Sequence, residues 1–367
     1  MISHSVRRPP TPSPLFDAYW TFAKLRQDIL HQRVFGSPPP WTNDQVLLHY
    51  RFTNTYRVTD RVSQYLIRHV AYKGDQSIQE VVFRVLLFKL FNRISTWDLL
   101  VSELGQPRAD EFDLAQYDEL LSTALDSGSR LYSAAYIMPP ATSNTRRKHT
   151  THLQLLQNML SDHLPERLHM STSMSDAFEL LLGNRGIGNF LAYQFVIDLN
   201  YSAILEFSEM DFVMAGPGAL SGLRKCFTDP GDFSAEDIIR WTADRQEIEF
   251  DSRQLDFKYL LGRRLQLVDC QNLYCEVDKY ARVMYPEVKD AKGRNRIKQR
   301  YAPTNLPVEL WFPPKWLMST DWGRSGCDLN LTVDEVNIDG PSAGVSNNSE
   351  YSVARENRLF PLIQRSS

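Results

Sequence analysis

Residues 173–202 read SMSDAFELLLGNRGIGNFLAYQFVIDLNYS and contain two helix-forming segments separated by a glycine-rich turn. Ser173 and Asp176 have the spacing of a capping box, which predicts the start of the first helix, and the leucines at 180–182 give that helix an apolar side. Gly183 is expected to end the helix in a left-handed conformation. The segment therefore predicts a helical hairpin.

The turn of this hairpin has the composition expected where a backbone approaches another molecule closely. Gly186 and Gly188 lack the Cβ atom that would hold a partner away. Asn189 can cap the second helix, whose first N–H groups would point outward at an anion. Such a hairpin suits contact with DNA phosphates without reading base sequence. The alternative is a helix–helix turn in which the glycines serve geometry alone.

The rest of the sequence also predicts a mainly α fold. Its 367 residues, 43% hydrophobic and 23% charged, are typical of a globular chain and suffice for one large domain. Proline-rich residues 1–14 are expected to form a disordered arm, residues 15–316 a helical domain, and polar residues 317–367 a low-order tail, so that both termini are flexible. Further helices are predicted at 15–33, 44–49, 55–72, 77–91, 94–103, 114–127 and 152–163.

Composition also restricts the partners and the compartment. The net charge is −3, so a nucleic-acid-binding surface must be local. The most apolar stretch, residues 81–91, is far shorter than the ~20 residues that cross a bilayer, and residues 1–14 lack the apolar core of a secretory signal. We therefore expect no membrane association and an intracellular protein, nuclear in a eukaryotic cell. The spacing of the four cysteines matches neither a zinc pair nor an iron–sulfur cluster, so no metal site is predicted.

Asp211 follows the hairpin, within EFSEMDFVMAGPGALSGLRK (206–225). A helical hairpin followed by an Asp resembles the helix-hairpin-helix DNA glycosylases, in which the Asp supports departure of a flipped base. A carboxylate suits this step because cleavage of an N-glycosidic bond develops positive charge on the sugar. Phe190 stands where the bifunctional members have a Schiff-base Lys, and the iron–sulfur cysteines of some members are missing. The resemblance therefore implies hydrolysis rather than lyase activity.

A second resemblance covers more of the chain, residues 15–316. The family is that of the 5-hydroxymethyluracil DNA kinase helical domains and the alpha-glutamyl/putrescinyl thymine pyrophosphorylases. The blocks that resemble it, in order, are PWTNDQVLLHYRFTNTYRVTDRVSQYLI (40–67), LFKLFNRISTWDLL (87–100), IGNFLAYQFVIDLNYS (187–202), MAGPGALSGL (214–223) and LYCEVDKYARV (273–283). This resemblance implies a glycosylase-like helical domain that acts in hypermodification of thymine in DNA.

Two groups of cations are candidates for DNA contact. In the predicted 55–72 helix three arginines form one polar stripe with Gln64, which suits a row of phosphates. In the basic run 289–300 four cations alternate, so that an extended backbone would point them all one way, as in a loop that tracks a nucleic-acid backbone. Ordinary ion pairs are the alternative for the stripe, and a nuclear-localisation signal is a compatible alternative for the run. With the hairpin, the DNA-binding candidates are Arg57, Arg61, Arg68, Gly186, Gly188, Asn189, Arg294, Arg296, Lys298 and Arg300.

Candidates for catalysis combine carboxylates with a lysine. Besides Asp211, the run CEVDKY (275–280) brings together two carboxylates, a Lys and a Tyr, which could serve general acid–base chemistry or bind an amine. An i,i+3 surface ion pair is the alternative. The catalytic candidates are Asp211, Glu276, Asp278 and Lys279.

A base pocket requires aromatic rings and polar groups that can face a base edge. The amides near helix ends could also simply cap those helices. The candidates are Asn54, Asn92, Arg93, Trp97, Phe190 and Tyr193.

Together these features predict a protein that binds duplex DNA and extrudes a modified thymine, at a cost of a few kcal/mol. The expected reaction is substitution at the activated 5-methylene carbon of a 5-hydroxymethyluracil-type base. A monofunctional glycosylase that uses Asp211 and a non-catalytic reader of modified DNA are the alternatives. No cofactor is evident, although a monovalent cation could bind at the hairpin. The sequence has no G-x-x-x-x-G-K-[ST] motif, so we do not expect a P-loop kinase, and a separate DNA-base kinase or hydroxylase is an expected partner.

Overall fold

The computed structural model describes residues 7–134, 139, 147–288, 293–303 and 308–318. Residues 1–6 of the predicted arm and residues 319–367, most of the predicted tail, lie outside this part of the chain, as do Lys289 and Lys292. The described residues are mainly helical, which confirms the predicted fold class. Their α-helices are α1 (Pro14–Val34), α2 (Gln45–His49), α3 (Arg61–Tyr65), α4 (Ile78–Phe91), α5 (Ile94–Leu104), α6 (Leu114–Asp126), α7 (Lys148–Ser161), α8 (Leu164–His169), α9 (Met174–Leu182), α10 (Asn189–Asn200), α11 (Pro217–Cys226), α12 (Ala235–Asp244), α13 (Gln246–Ser252) and α14 (Leu267–Met284).

Side-chain caps fix the starts of several helices. The Ser13 hydroxyl accepts a hydrogen bond from the backbone N–H of Leu15, and Pro14 occupies the first turn of α1. At α9 the predicted Ser173 cap is confirmed, because its hydroxyl accepts a bond from the N–H of Asp176 at 3.0 Å. These helices begin where the sequence satisfies the first free N–H groups.

The continuous helix predicted over 55–72 is wrong. The segment consists of a 3-10 turn (Arg57–Thr59), α3 and a π-helical turn (Leu66–Ala71). Asp60 has an extended backbone (φ −66°, ψ 141°) that interrupts the helix, and its carboxylate accepts a bond from the N–H of Asn54 at 2.8 Å. The predicted stripe of arginines therefore does not exist as one helix face.

Residues 7–14 also differ from the disordered arm that their composition predicts. Strand β1 (Thr11–Pro12) pairs antiparallel with β2 (Phe227–Asp229). Arg7 forms an ion pair with Asp237, and Arg8 forms one with Asp229. Because these partners lie more than 200 positions away, the local composition could not indicate them.

Two helices organise the core. Every residue of α4 from Val81 to Phe91 is buried, so this helix is surrounded on all sides, with α7, α8 and α10 among its neighbours. The second, α14, packs against α1, α11 and α12. None of the helices in the described ranges is both long enough and apolar enough to cross a membrane.

Glycines bring α11 and α14 into direct backbone contact. A Cβ atom at Gly222 would lie 2.0 Å from the carbonyl oxygen of Tyr274, and one at Gly218 would lie 2.1 Å from the Sγ of Cys275. The two helices can therefore approach this closely only without side chains at those positions.

We expect Gly222→Ala to lower the free energy of unfolding by about 1–3 kcal/mol or more, because the added methyl group forces α11 away from α14. Gly183→Ala is the matched control, since its Cβ would lie 3.5 Å from the nearest carbonyl oxygen and its φ is −61°. Its effect should stay within about 0.5 kcal/mol. Urea denaturation followed by circular dichroism measures both, and equal effects would contradict the contact.

Candidate functional site

One face of α10 surrounds the guanidinium group of Arg57. Gln194, Asp198 and Tyr201 lie at i, i+4 and i+7 and so share that face. The Nη1 atom of Arg57 is 2.7 Å from Oδ1 of Asp198, and its Nε donates to Oε1 of Gln194 at 3.2 Å. Its Cζ lies 5.4 Å from the ring centroid of Tyr201. Arg57, a predicted phosphate ligand, is thus buried inside the protein.

Lys89 completes this cluster from α4. Its Nζ atom is 2.7 Å from Oδ2 of Asp198 and donates to Oδ1 of Asn92 at 3.0 Å. Burial by itself would raise the pKa of Asp198, but Arg57 and Lys89 outweigh it and hold that pKa below its ordinary value. We call Arg57, Lys89 and Asp198 the α10 ion cluster. Asn92, a predicted base-pocket residue, faces this cluster and ends α4 in a left-handed conformation.

The hairpin has the predicted helices but different turn geometry. Gly183 is right-handed (φ −61°, ψ −10°), and the positive φ of 91° belongs to Gly186. Asn189 is the first residue of α10, and Gly188 precedes it as the N-cap, so the predicted Asn189 cap is wrong by one position. Gly188 is exposed, with no described atom within 4 Å of where a Cβ would stand. Contact with phosphate at this turn stays a prediction.

The segment after α10, which we call the 205–212 turn, is tied down through its backbone. The Asn200 side chain donates to the carbonyl oxygen of Phe207 and accepts from its N–H, both at 2.9 Å. Lys315 donates to the carbonyl oxygen of Leu205 at 2.6 Å, and Arg240 donates to that of Asp211 at 2.9 Å. The Asp211 side chain is exposed on this fixed backbone, and its catalytic role stays a prediction.

Glu209, the buried carboxylate of the same turn, is not among the site residues predicted from the sequence. It is 5% exposed and forms an ion pair with Arg263, whose Cζ lies 4.0 Å from the ring centroid of Trp316. Burial raises the pKa of Glu209, although Arg263 opposes the shift. Burial, together with the charge of Glu209, also raises the pKa of Asp269 to about 7. The periodicity of helices and strands cannot predict which of these side chains is buried, because Glu209 and Asp211 lie in an irregular turn.

Two of the predicted catalytic residues form the ion pair that was the structural alternative. Lys279 Nζ donates to Oε2 of Glu276 at 2.8 Å, three positions away on α14. The same carboxylate oxygen accepts a bond from the N–H of Thr53 at 3.0 Å, and Lys279 lies over the ring of Phe52. Glu276 is buried, so these contacts join α14 to the segment after α2.

Asp278 is also buried, and its carboxylate is surrounded by donors. Ser221 donates to it at 2.7 Å, Lys225 lies 3.0 Å away, and Arg294 lies 3.1 Å away. Arg282 forms a further ion pair with it. Arg294 therefore points inward, and the prediction that it aligns with the exposed cations of the basic run is wrong.

The remaining cations of the basic run lie on an extended segment. Arg300 is paired with Tyr50, and the N–H of Arg51 donates to the carbonyl oxygen of Gln299 at 3.1 Å. Ile297 is buried, whereas Arg296, Lys298 and Arg300 are exposed. This pairing places their segment beside Arg51.

Arg51 connects that segment to other cations. Burial lowers the pKa of Arg61, and the positive charges of Arg51 and Arg93 lower it further, so both of these arginines lie near Arg61. Within the described ranges no carboxylate forms an ion pair with any of these residues. We call this group the basic surface: Arg51, Arg61, Arg93, Arg296, Lys298 and Arg300. Arg68 is exposed too, but it pairs with Glu309 at 3.4 Å.

Only some of the predicted pocket residues come together. Trp97 is 2% exposed and packs on Phe88. The Asn54 side chain accepts a hydrogen bond from Arg26 and donates one to the carbonyl oxygen of Thr59. Phe190 and Tyr193, in contrast, both face the chain after Asp211. The Tyr193 ring centroid is 6.0 Å from that of Phe212, and the Phe190 ring lies 2.9 Å from where a Cβ of Gly216 would stand.

Comparison with known proteins identifies similar chains. A family model described as "5-hmdU DNA kinase, helical domain" matches residues 13–290, which contain α1 to α14. The 5-hmdU DNA kinase of Bacillus phage SP10 is 29% identical in an alignment of 297 residues that covers 75% of this chain and 46% of that protein. The chain thus spans about half the length of the curated relative it matches. No solved structure matches it.

We expect Asp198→Asn to lower the free energy of unfolding by about 3–5 kcal/mol, because it leaves Arg57 and Lys89 buried without their counter-charge. Glu309→Gln, which breaks an exposed ion pair, should change it by less than about 1 kcal/mol. Chemical denaturation compares the two. A loss of less than about 1 kcal/mol for Asp198→Asn would contradict the role assigned to the cluster.

Proposed function

This chain belongs to the 5-hmdU DNA kinase helical-domain family, and from this we propose that it binds duplex DNA and acts on a modified thymine of the 5-hydroxymethyluracil type. The observation that carries the proposal is the family match over all the helices from α1 to α14. The relative's printed name refers to kinase activity on DNA, but the relative is about twice as long as the matched region. Kinase activity is therefore not part of the proposal for this chain.

The basic surface supports contact with the DNA backbone. In a chain of net charge −3, six cations collect on neighbouring segments with no ion-paired carboxylate among the described residues. Mutual repulsion among Arg51, Arg61 and Arg93 is relieved when an anion binds between them, and phosphates supply evenly spaced anions. Contacts of this kind hold the duplex without selecting its sequence.

The exposed hairpin provides a second backbone contact in the proposal. Gly188 leaves the first N–H groups of α10 accessible, and Gly186 provides the left-handed residue that shapes the turn. A protein that grips both sides of an extruded nucleotide can offset the few kcal/mol that extrusion costs. Phe190 and Tyr193, which follow the hairpin on α10, are then placed to receive the base.

The reaction that we propose is substitution at the 5-methylene carbon. A phosphorylated hydroxymethyl group loses phosphate, or a pyrophosphorylated one loses pyrophosphate, as the C–O bond breaks, and a primary amine forms the new C–N bond and releases a proton. A separate hydroxylase and a DNA-base kinase would have to supply the activated base. The chain's own contribution is to bind the duplex, orient the base and exclude water.

Incubation with synthetic duplexes tests this reaction. We expect pyrophosphorylated 5-hydroxymethyluracil DNA and a mixture of primary amines to give a nucleoside whose mass increases by that of the amine minus water, relative to 5-hydroxymethyldeoxyuridine. Digestion followed by mass spectrometry detects it, and the same DNA without protein is the control. Release of free base would instead favour a glycosylase that uses Asp211, and binding without either product would favour a reader of modified DNA.

The basic surface also predicts the salt dependence of binding. Replacing Arg61, Arg296 and Lys298 by Ala should weaken binding to unmodified duplex and reduce the slope of log Kd against log salt by about 2–3, since each lost phosphate contact contributes about 0.9. Fluorescence anisotropy between 50 and 200 mM salt, a range over which such contacts lose most of their affinity, gives the slope. Arg108→Ala is the control, because Arg108 is an exposed cation already paired with Asp110 and Glu111. Equal slopes for both variants would refute the assignment.

A further inference from the structure

Three buried polar atoms lie around α10 without a hydrogen-bond partner among the described residues. They are the hydroxyl of Tyr193, Oε1 of Glu209 and Oε1 of Gln271. The exposed fractions of these residues are 1%, 5% and 2%, so solvent does not satisfy the atoms. Because an unsatisfied buried polar atom costs stability, three of them in one region require an explanation.

The three side chains come from three elements, α10, the 205–212 turn and α14. Burial raises the pKa of Tyr193, and the charges of Glu209 and Asp269 raise it further, so both carboxylates lie near this side chain. The Tyr193 ring also contacts Phe212, three positions after Glu209. Tyr193 and Glu209 therefore lie near one another where α10, the turn and the start of α14 meet.

Gly216 extends this junction to Phe190. A Cβ at Gly216 would stand 2.9 Å from the Phe190 ring and 3.4 Å from Nε2 of Gln271, so the aromatic ring and the amide both lie against this glycine. We call Phe190, Tyr193, Glu209 and Gln271 the Tyr193 site. It combines one half-buried ring with three unpaired polar atoms.

Loose packing does not account for the unpaired atoms. The other oxygen of Glu209 is held by Arg263, and the backbone around it is tied to Asn200 and Arg240. Side chains that are fixed in this way and still lack partners are characteristic of a site that a ligand completes.

We propose that the Tyr193 site binds the polar edge of an extruded 5-hydroxymethyluracil base. This inference rests on the proposed function and adds the residues that read the base. The base carries two carbonyl acceptors, an imide N–H donor and a hydroxyl donor. The Tyr193 hydroxyl donates to a carbonyl, while Glu209 and Gln271 accept from the imide and from the hydroxymethyl group. The Phe190 ring stacks on the base, as aromatic side chains do in base-flipping enzymes.

The same arrangement explains how the hydroxymethyl group can be distinguished from the methyl group of thymine. Thymine keeps the two carbonyls and the imide but lacks the second donor. It therefore leaves one buried acceptor unpaired, and this penalty is what a polar site uses to reject an analogue.

A binding experiment on three duplexes tests the site. One has 5-hydroxymethyluracil opposite guanine, one has thymine opposite guanine, and one is fully paired and unmodified; the mismatches make extrusion easier. We expect wild-type protein to prefer the 5-hydroxymethyluracil duplex over the thymine mismatch by roughly three- to tenfold, the value of one hydrogen bond. Tyr193→Phe and Glu209→Gln should each weaken binding to the 5-hydroxymethyluracil duplex by a similar factor and leave the Kd for the paired duplex unchanged.

Thermal melting separates ligand recognition from a structural role. Tyr193→Phe removes a hydroxyl with no described partner, so its Tm should equal or exceed that of wild type. Tyr274→Phe is the matched control, because its buried hydroxyl is bonded to Thr242 at 2.6 Å. It should lower the Tm and keep the preference for the modified base.

The outcomes distinguish this inference from the function it rests on. If wild-type protein binds none of the duplexes at low salt, the proposed function fails. If it binds them without preferring 5-hydroxymethyluracil, or if Tyr193→Phe keeps the preference, the inference about the Tyr193 site is overturned while DNA binding stands. A lower Tm for Tyr193→Phe would show that the hydroxyl has a structural partner such as an internal water, and would overturn the inference as well.

Discussion

The structure depends on a buried carboxylate that needs two cations. Asp198 lies in a helix whose residues from Leu191 to Asn200 are all buried, and it can remain ionised there only because Arg57 and Lys89 reach it. Arg57 comes from the segment before α3, and Lys89 comes from the last turn of α4. Three segments that are distant in sequence must therefore meet at one point. The hairpin at the start of α10 and the 205–212 turn at its end take their positions from this meeting point.

The sequence predicts the helices well where local chemistry decides them. The side chains of Ser13, Asp44 and Ser173 each accept hydrogen bonds from N–H groups in the first turn of the helix that follows. Such caps can be predicted from the residue type alone. The break at Asp60 was not predictable in the same way, because the N–H of Arg57 is bound by Asp269 across more than 200 positions. The residues of 7–14 pair with β2 across a similar separation. In both cases a distant partner overrides the local preference.

Part of the candidate site could also have been anticipated. Lys89 and Asp198 are the single charges, of opposite sign, in the mainly apolar stretches 85–91 and 190–199. Because a buried charge requires a partner, their pairing could have been inferred. Arg294 points inward because it pairs with the buried carboxylate of Asp278. The alternation of charges in the basic run could not predict this pairing. Glu209 and Asp211 show the limit of pattern reasoning. They are two positions apart, yet one is buried against Arg263 and the other is exposed, because an irregular turn has no fixed period.

Helix α1 lies near the start of the sequence, whereas the helices that it packs against lie in the second half. It packs on α11 and α14, and Ser13 at its start bonds to the carbonyl oxygen of Lys225. During synthesis, at about 5–20 residues per second, roughly 10–40 s pass between completion of α1 and completion of α11. For that time the apolar face of α1, which includes Phe16, Tyr19 and Trp20, has no native surface to cover it. The nascent chain is thus most exposed to aggregation and to chaperone binding before its second half has been translated.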